Sequence, residues 1–439
     1  LFRNCVNMHT SFGGQSELTG KAVCGALTKD FSACFSGCSN ISEAVCGPNV
    51  INMSYAYSGC RNLTGSAVCG PYVVNMVFAY TGCYNITKAV CSDSVVDMYY
   101  TYSECANLKG YAVCGDYVEN MRFAYHGCRN LQYGVCGENV KDFAYAYANC
   151  YNLLDCNIGN NVTNMQRSFS NCENLISTSG KSDLVDCMSG CFSDCYNLTT
   201  FYMPNSAIDI YRCYYNCRNI KGDVYIPENT IYANGAFYRC SNISGATIKS
   251  SKISDMSLIF SGCTNLKQVT ISGSTENIVD LSSLFYRCSN LTSLSISDSS
   301  FPNVKYMIEC FEGCSNLRMQ CIIPPNVEDL GSAYLGCQNI YGSVTLPDTI
   351  TSISSAFRNT GVTSITFPNI SSSKNVSMSG FITRSKDIIN RYGTVTLYCP
   401  AGSGALNSIK KEYNFYKNDN GTIIYTGHND AYDIDLRLI

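Results

Sequence analysis

One short pattern of residues recurs along this 439-residue chain from its beginning almost to its end. The pattern is an aromatic residue, a Cys three positions later, then Asn and an aliphatic residue, and successive copies lie about 22 to 26 residues apart. Residues that recur at such a period occupy the same place in successive coils of a solenoid, because one coil alone cannot bury its apolar face. The aromatic positions are Phe12, Phe35, Tyr57, Tyr80, Tyr102, Tyr125, Tyr147, Phe169, Phe192, Tyr214, Phe237, Phe260, Phe285, Phe311, Tyr334 and Phe357.

Each copy contains two short segments that we expect to be extended. In the copy around Tyr80 the first segment is Ala67-Val68-Cys69, whose alternation is typical of a strand with one buried face. The second segment places Met76 seven residues before the Cys, at a position that is Met in many other copies. The sequence therefore predicts a β-rich solenoid of about 16 coils of 22 to 26 residues each.

An Asn stands two residues after the Cys in every copy except the two terminal ones, where Gln15 and Thr360 replace the Cys itself. Many of these Asn residues, such as Asn62, begin an Asn-x-Ser/Thr glycosylation signal, but Asn339 stands at the same place without one. We therefore expect a ladder whose side-chain amides satisfy backbone groups where the coil bends, rather than a series of glycosylated residues.

The residues that fill the repeat divide the chain into three parts. In residues 1–158 the strand reads Ala-Val-Cys-Gly, whereas in residues 159–368 it reads more like Val-Thr-Ile-Pro. We expect these to be the N-terminal and C-terminal parts of one solenoid. We expect residues 369–439 to form a small C-terminal cap that consists of a closing strand, a helix and a hairpin.

The cap helix is expected over residues 405–416, because apolar residues recur there at helical spacing. The run at 418–421, Asn-Asp-Asn-Gly, then predicts a turn before a final strand at residues 423–425. Such a cap covers the open edge of the last coil and blocks growth at that end. The apolar residues of the expected helix are Leu406, Ile409, Tyr413 and Tyr416.

The net charge and the hydropathy of the chain argue against nucleic acid as a partner and against a membrane-spanning helix. A net charge of −3 with 14% charged residues leaves no basic surface for nucleic acid. No stretch reaches the roughly 18 to 20 apolar residues of a membrane-spanning helix. Because Leu1 is not Met and residues 5–8 already match the middle of a repeat, we also expect further sequence upstream.

The chain contains 29 Cys residues, many of them in the repeat. Six occupy a strand position that later coils fill with Ile226, Ile271 or Leu346, which marks it as an apolar core position. We expect mainly reduced, buried thiols, because a continuous ladder offers each thiol two equivalent neighbours. Disulfide pairing is the alternative, since coils about 4.8 Å apart bring Cα atoms within bonding range. The six strand cysteines are Cys24, Cys46, Cys69, Cys91, Cys114 and Cys136.

The sequence gives no pattern that indicates catalysis. The run Cys187, Cys191 and Cys195 has no His nearby and lacks the spacing of zinc sites, and Cys195 belongs to the repeat. The 3 His residues stand at unrelated places, with no Ser or Cys placed as a nucleophile. We therefore predict no enzyme, no metal site and no cofactor.

Two series of apolar residues in the first part of the chain are not needed to build a coil. The outward strand position is Val in six successive coils, but Thr247 or Thr270 later. The position five residues before the Cys is aromatic in five successive coils, but Arg167 or Gly190 later. We predict that both series adjoin in one contiguous partner-binding patch; alternatively they pack on a missing N-terminal segment or only raise strand propensity. The predicted partner-binding residues are Val23, Val45, Val68, Val90, Val113, Val135, Tyr55, Phe78, Tyr100, Phe123 and Tyr145.

The repeated pattern resembles the BspA-like, or Treponema-type, leucine-rich repeats. The resemblance covers roughly residues 1 to 368 and is carried by runs such as 311–317 (Phe-Glu-Gly-Cys-Ser-Asn-Leu), 162–165 (Val-Thr-Asn-Met) and 356–368. It implies a leucine-rich-repeat array with a non-enzymatic extracellular role in bacterial surface adhesion, attachment to host matrix proteins or coaggregation, and in phage relatives a virion appendage. The high Cys content and the Ala-Val-Cys-Gly strands depart from the usual family pattern.

We accordingly expect an extracellular or cell-surface binding and adhesion protein that recognises a protein, or else a glycan, along its solenoid. Abundant Tyr and absent Trp favour a protein over a sugar. The alternative is a structural subunit of a virion fibre or another self-assembling surface layer, in which a neighbouring subunit covers the N-terminal half. Folding with many free thiols in a reducing cytoplasm before release suits that alternative.

Overall fold

A computed structural model of the chain describes residues 4–296, 301–371, 373–413, 415–417, 423–425 and 434–438. The fold is a parallel β-solenoid of about 16 turns with few helices, as the sequence predicts. Two compact units are present, Leu1–Ile220 and Lys221–Ile439.

In the first unit, short strands of successive coils pair in parallel at equivalent positions. Val68, for example, is the register partner of Val90 in the next coil. The strands form two two-stranded sheets and one four-stranded sheet. They are β1 (Gly20–Val23), β2 (Ile41–Val45), β3 (Gly65–Val68), β4 (Ile86–Val90), β5 (Gly110–Val113), β6 (Leu131–Val135), β7 (Asp155–Asn157) and β8 (Ser177–Ser179).

The second unit continues the same parallel pairing and adds two helices. One four-stranded sheet has the order β12-β11-β10-β9, and another has the order β13-β14-β15-β18, whereas β16 and β17 form an antiparallel hairpin. The elements are β9 (Gly222–Ile226), β10 (Ile243–Ile248), β11 (Gln268–Ile271), β12 (Ser293–Ile296), β13 (Tyr341–Thr345), β14 (Gly361–Thr366), α1 (Lys386–Tyr392), β15 (Val395–Cys399), α2 (Gly404–Tyr413), β16 (Phe415–Lys417), β17 (Ile423–Tyr425) and β18 (Ile434–Leu438).

The segment that carries the repeated aromatic residue, which we call the turn segment, forms a second ladder between coils. Alternate N–H groups donate to the next coil, as from Tyr57 to the carbonyl oxygen of Ala79 at 2.8 Å. The intervening N–H groups close four-residue turns within the coil, as from Ala56 to the carbonyl oxygen of Met53. An Asn or Asp fixes the start of the segment: the Oδ1 atom of Asn75 accepts the N–H of Val77 at 2.9 Å. These bonds satisfy backbone polar groups in a segment that is not a regular strand.

The repeated aromatic residues stack inside the coils, which confirms the predicted ladder. Neighbouring rings lie 5.6 Å apart between Tyr80 and Tyr102 and 5.3 Å apart between Tyr102 and Tyr125. All three side chains are fully buried. The hydroxyl group of Tyr80 crosses the interior and donates to the carbonyl oxygen of Val68 at 3.0 Å. Tyr80 thus fills the core and also satisfies a strand carbonyl.

The repeated Cys is a hydrogen-bond donor as well as a core residue. The Sγ atom of Cys105 lies 3.1 Å from the carbonyl oxygen of Tyr80 in the preceding coil, and Cys128 makes the same bond to Tyr102 at 3.1 Å. All the cysteines are free thiols. Burial raises the pKa of Cys60 from 9.0 to about 12, so such thiols remain protonated at neutral pH.

The repeated Asn forms a ladder, but at the surface and not in the core. Asn62 donates to the Oδ1 atom of Asn40 at 3.0 Å, and both residues are exposed. Some copies bond to a backbone carbonyl instead, as Asn85 does to Arg61 at 2.9 Å. The expected role in satisfying backbone groups is therefore only part of the pattern, because many of these amides donate to the amide oxygen of the Asn in the preceding coil.

The bounds of the C-terminal elements differ from the expected ones. The helix α2 begins at Gly404 and ends at Tyr413, whereas residues 415–417 belong to β16 and not to the helix. Tyr413 packs edge-on against Phe381 with ring centroids 5.5 Å apart. The expected turn at 418–421 lies outside the described residues, and the helix α1 and the strand β18 were not expected.

Candidate partner-binding surfaces

The valine series lies on the outer side of the first six strands. Val23, Val68 and Val113 are 52%, 43% and 48% exposed, and the other three valines are half-buried. The series ends in β7, where Asn157 is the register partner of Val135. We call this set of six the valine stripe; it consists of Val23, Val45, Val68, Val90, Val113 and Val135.

The five aromatic residues form one continuous stack on the outer side of the turn segment. Ring centroids lie 4.7 Å apart from Tyr55 to Phe78 and 4.7 Å apart from Phe78 to Tyr100. The next two distances, through Phe123 to Tyr145, are both 4.4 Å. Tyr55 is 43% exposed and the others are half-buried. We call these five residues the aromatic stripe; they are Tyr55, Phe78, Tyr100, Phe123 and Tyr145.

The backbone under the aromatic stripe has a left-handed conformation. The φ angles of Tyr55, Phe78 and Tyr100 are 57°, 56° and 55°. A bulky residue is rarely found in this region and costs about 1 to 3 kcal/mol there. Other coils place Gly190 or Ser283 at the same position with φ angles of 60° and 54°. The coil therefore accepts small residues there, and an aromatic is not required for folding.

The two stripes lie on opposite sides of the coil. Tyr80 belongs to the turn segment, two residues after Phe78, and its buried ring reaches across the interior to Val68 in the strand. Since Phe78 and Val68 both face away from that interior, the core separates them. The stripes are thus two surfaces, not the single contiguous patch expected from the sequence.

Further aromatic and basic residues extend both surfaces. On the strand side, Tyr111 and Tyr133 stack with ring centroids 4.7 Å apart, next to the valine stripe. On the turn side, Tyr99 packs edge-on against Phe78 at 5.4 Å, and the guanidinium carbon of Arg122 lies 5.5 Å from the ring centroid of Phe123. The sequence pattern does not single out these residues, because such side chains occupy their positions in only one or two coils.

The described residues give little indication of catalysis or of metal binding. No group of three or more His, Cys, Asp or Glu side chains in them is arranged to hold a metal ion. His126 lies 3.3 Å from a carboxylate oxygen of Glu104 and 3.0 Å from the amide nitrogen of Asn149. Burial lowers the pKa of His126, and Glu104 partly offsets that effect. None of the helices in the described part of the chain has the length and apolar character to span a bilayer.

The repeat geometry is that of a known family. The profile of the BspA type leucine rich repeat region matches six overlapping segments, at residues 32–152, 99–221, 141–257, 230–354, 256–386 and 333–423. Together these segments cover well over half of the chain. The chain belongs to the BspA-type leucine-rich-repeat family, which typically provides non-enzymatic binding scaffolds.

One of the solved structures that resemble the chain shares its fold. A leucine-rich repeat protein from Bacteroides ovatus is 20% identical, with 89% of this chain and 88% of that chain covered and a TM-score of 0.55. A leucine-rich repeat protein of T. pallidum is 18% identical over 43% of this chain and 72% of that chain, with a TM-score of 0.27. A leucine rich cell surface protein from Faecalibacterium prausnitzii is 15% identical over 80% and 81%, with a TM-score of 0.26. No curated protein sequence matches the chain at a significant level.

Proposed function

We propose that this chain is a non-enzymatic adhesion module, at a cell surface or outside the cell, that binds a protein partner through its N-terminal part. The aromatic stripe is the main contact surface, and the valine stripe on the opposite side is a second one. The family supports a binding scaffold, and the bacterial surface role that the resemblance implies supports the location.

The observation that carries this proposal is the aromatic stripe in its left-handed backbone. Five stacked rings occupy a position where φ is 55–57° and where other coils have residues as different as Gly190, Ser283 and Arg167 at similar φ angles. Because the same backbone accepts small and charged residues in other coils, folding alone does not explain five successive aromatic residues that leave ring surface exposed to water. Rigid aromatic side chains are enriched in the energetically important centres of protein interfaces.

The valine stripe adds a flatter apolar surface on the strand side. Its outward position holds Thr247 and Thr270 in the second unit, where the strands pair in the same parallel manner. The coil therefore forms with either Val or Thr at this outward position. A partner or a neighbouring subunit that covers this stripe would shield Val68 and Val113, which are otherwise more than two-fifths exposed.

Binding to immobilised collagen, laminin and fibronectin tests the proposal, with self-association measured by sedimentation velocity. The aromatic variant carries Phe78→Ser, Tyr100→Ser and Phe123→Ser together. Ser283 has a φ of 54° at the same position, so Ser fits the backbone there. We expect the wild-type chain to bind at least one of these proteins, and the aromatic variant to lose about tenfold or more in affinity while remaining folded.

A second triple variant, Val68→Thr, Val90→Thr and Val113→Thr, tests the valine stripe separately and shows which of the two surfaces is the main contact. Loss of binding only in the aromatic variant assigns the main contact to the aromatic stripe. Wild-type self-association that either variant abolishes supports the structural-subunit alternative instead. A monomeric wild-type chain that binds none of the three proteins, or variants that bind as well as wild type, would reject the proposal.

A further inference from the structure

The aromatic stripe ends at a polar cleft in the first unit. After Tyr145 the left-handed position holds Arg167, then Gly190, then Arg212. The cleft that opens there has a volume of about 500 Å³. Volumes of about 300 to 1,000 Å³ are usual for small-molecule sites.

Gly190 keeps the cleft open. Its φ angle is 60°, and a Cβ atom on it would lie 3.0 Å from the Cγ atom of Arg167. Any larger side chain therefore crowds Arg167 and projects into the space where the aromatic stripe would otherwise continue. The absence of a side chain in this one coil creates a depression between two arginines.

Two guanidinium groups at this cleft have no carboxylate partner within the described ranges. The guanidinium carbon of Arg167 lies 5.9 Å from the ring centroid of Tyr145. That of Arg212 lies 5.2 Å from the centroid of Tyr211 and 5.3 Å from that of Tyr215. Stacking on tyrosine positions a guanidinium group without using its N–H donors, which leaves them for an anion.

The rest of the lining is small and polar. The carboxylate of Asp194 already accepts hydrogen bonds from Asn216 at 2.7 Å and from Ser193 at 2.9 Å. The amide nitrogen of Asn171 donates to Asn149 at 2.8 Å. Gln166, Ser170 and Ser189 supply further amide and hydroxyl groups at the cleft wall. These groups suit a ligand that carries several hydroxyl groups.

We propose that this cleft binds the carboxylate-bearing sugar unit of an acidic saccharide. The two arginines recognise the carboxylate by charge-assisted hydrogen bonds, the tyrosine rings contact the apolar face of the sugar ring, and the polar lining pairs with its hydroxyl groups. The volume accommodates one or two sugar rings but not a folded domain. This cleft adjoins the proposed protein-binding surface and shares Tyr145 with it, so the protein-binding proposal is tested at Phe78, Tyr100 and Phe123, which do not line the cleft.

Titration of the full chain with N-acetylneuraminic acid and with D-galacturonic acid, followed by saturation-transfer NMR and calorimetry, tests the proposal. We expect at least one of them to bind with a Kd on the order of 1 mM, and neutral D-galactose to bind about tenfold more weakly. Arg167→Ala and Arg212→Ala are each expected to weaken binding about tenfold. Arg129→Ala, at an exposed residue outside the cleft, is the control that leaves affinity unchanged.

The variant Gly190→Tyr restores the aromatic side chain of earlier coils, so we expect it to abolish saccharide binding. Thermal unfolding of each variant shows whether it folds, and Arg167→Lys keeps the charge if Arg167→Ala does not fold. The proposal would be overturned if galactose bound as well as galacturonate or if acetate alone bound equally well. It would also be overturned if an acidic peptide bound more strongly than either sugar, or if folded arginine variants kept their affinity.

Discussion

Tyr147 differs from the neighbouring ladder tyrosines in the surroundings of one atom. Tyr80 donates its hydroxyl hydrogen to the carbonyl oxygen of Val68 at 3.0 Å, whereas the buried hydroxyl group of Tyr147 has no hydrogen-bond partner among the described residues. The ring lies against Gly134, where a Cβ atom would be only 2.8 Å from its Cζ atom. An unpaired buried hydroxyl group destabilises a fold by about 1 to 3 kcal/mol.

We therefore predict opposite effects for the same substitution at these two positions. Tyr147→Phe removes an unpaired hydroxyl group and is expected to leave the free energy of unfolding unchanged or to raise it by about 1 kcal/mol. Tyr80→Phe removes a hydrogen bond and is expected to lower it by about 1 kcal/mol. Urea-induced unfolding of both variants checks this, and equal losses would contradict it.

Among the C-terminal elements, α2 packs against the coil that contains Phe381. Its buried residues include Leu406, Ile409 and Tyr413, all predicted from their helical spacing. The Oε1 atom of Glu412 accepts the N–H of Gly380 at 2.7 Å, which attaches the helix to the turn segment of that coil. The parallel strand β18 pairs along β15 and covers its edge.

Deletion of residues 400–439 is consequently expected to cause aggregation or loss of solubility. The truncated chain exposes the apolar surface around Phe381, together with the edge of β15, and both favour association with other chains. Light scattering and size-exclusion chromatography of the truncated chain measure this. Ile409→Ser within the full chain is a milder control, and a truncated chain that is monomeric and as stable as wild type would contradict a sealing role.

The buried thiols make the free energy of unfolding of the whole molecule depend on pH. Burial raises the pKa of Cys60 and of Cys337 from 9.0 to about 12. Below pH 9 these thiols are protonated in both the folded and the unfolded chain. Between about pH 9 and 12 they ionise only in the unfolded chain, so each lowers the free energy of unfolding by about 1.4 kcal/mol per pH unit.

We predict that the chain, kept in a reducing agent, is stable near neutral pH and loses stability steeply above pH 9. Denaturant midpoints at pH 7, 9 and 10.5 measure the effect. Cys60→Ser keeps a donor at this position but does not ionise in this range, so its loss should be smaller than that of wild type. A midpoint that is the same at pH 7 and pH 10.5 would contradict the raised pKa values.

The sequence predicted those features that recur in every coil. The ladder through Tyr80, Tyr102 and Tyr125 is an example, because a period of 22 to 26 residues can arise only from equivalent places in successive coils. The period does not show which side of a coil a residue occupies. It therefore predicted Val68 and Phe78 as outward residues but not their separation by the core.

Features that occur once were not predictable from repetition. The helix α1 has only seven residues and no counterpart in another coil. The cleft depends on Gly190, where a side chain is missing, and on arginines whose stacking partners lie in the same or neighbouring coils. A positive φ angle leaves a sequence signal only where Gly is present, and Tyr55 or Phe78 at such a position conceals it.

The left-handed position also affects how the surface of such a protein evolves. It carries one outward side chain per coil, and its backbone is the same whether it holds Gly190, Ser283 or Tyr100. Recombination between nearly identical repeats inserts or removes whole coils, each with its own core. A lineage therefore acquires a new order of surface residues in one genetic step, without passing through intermediates that fail to fold.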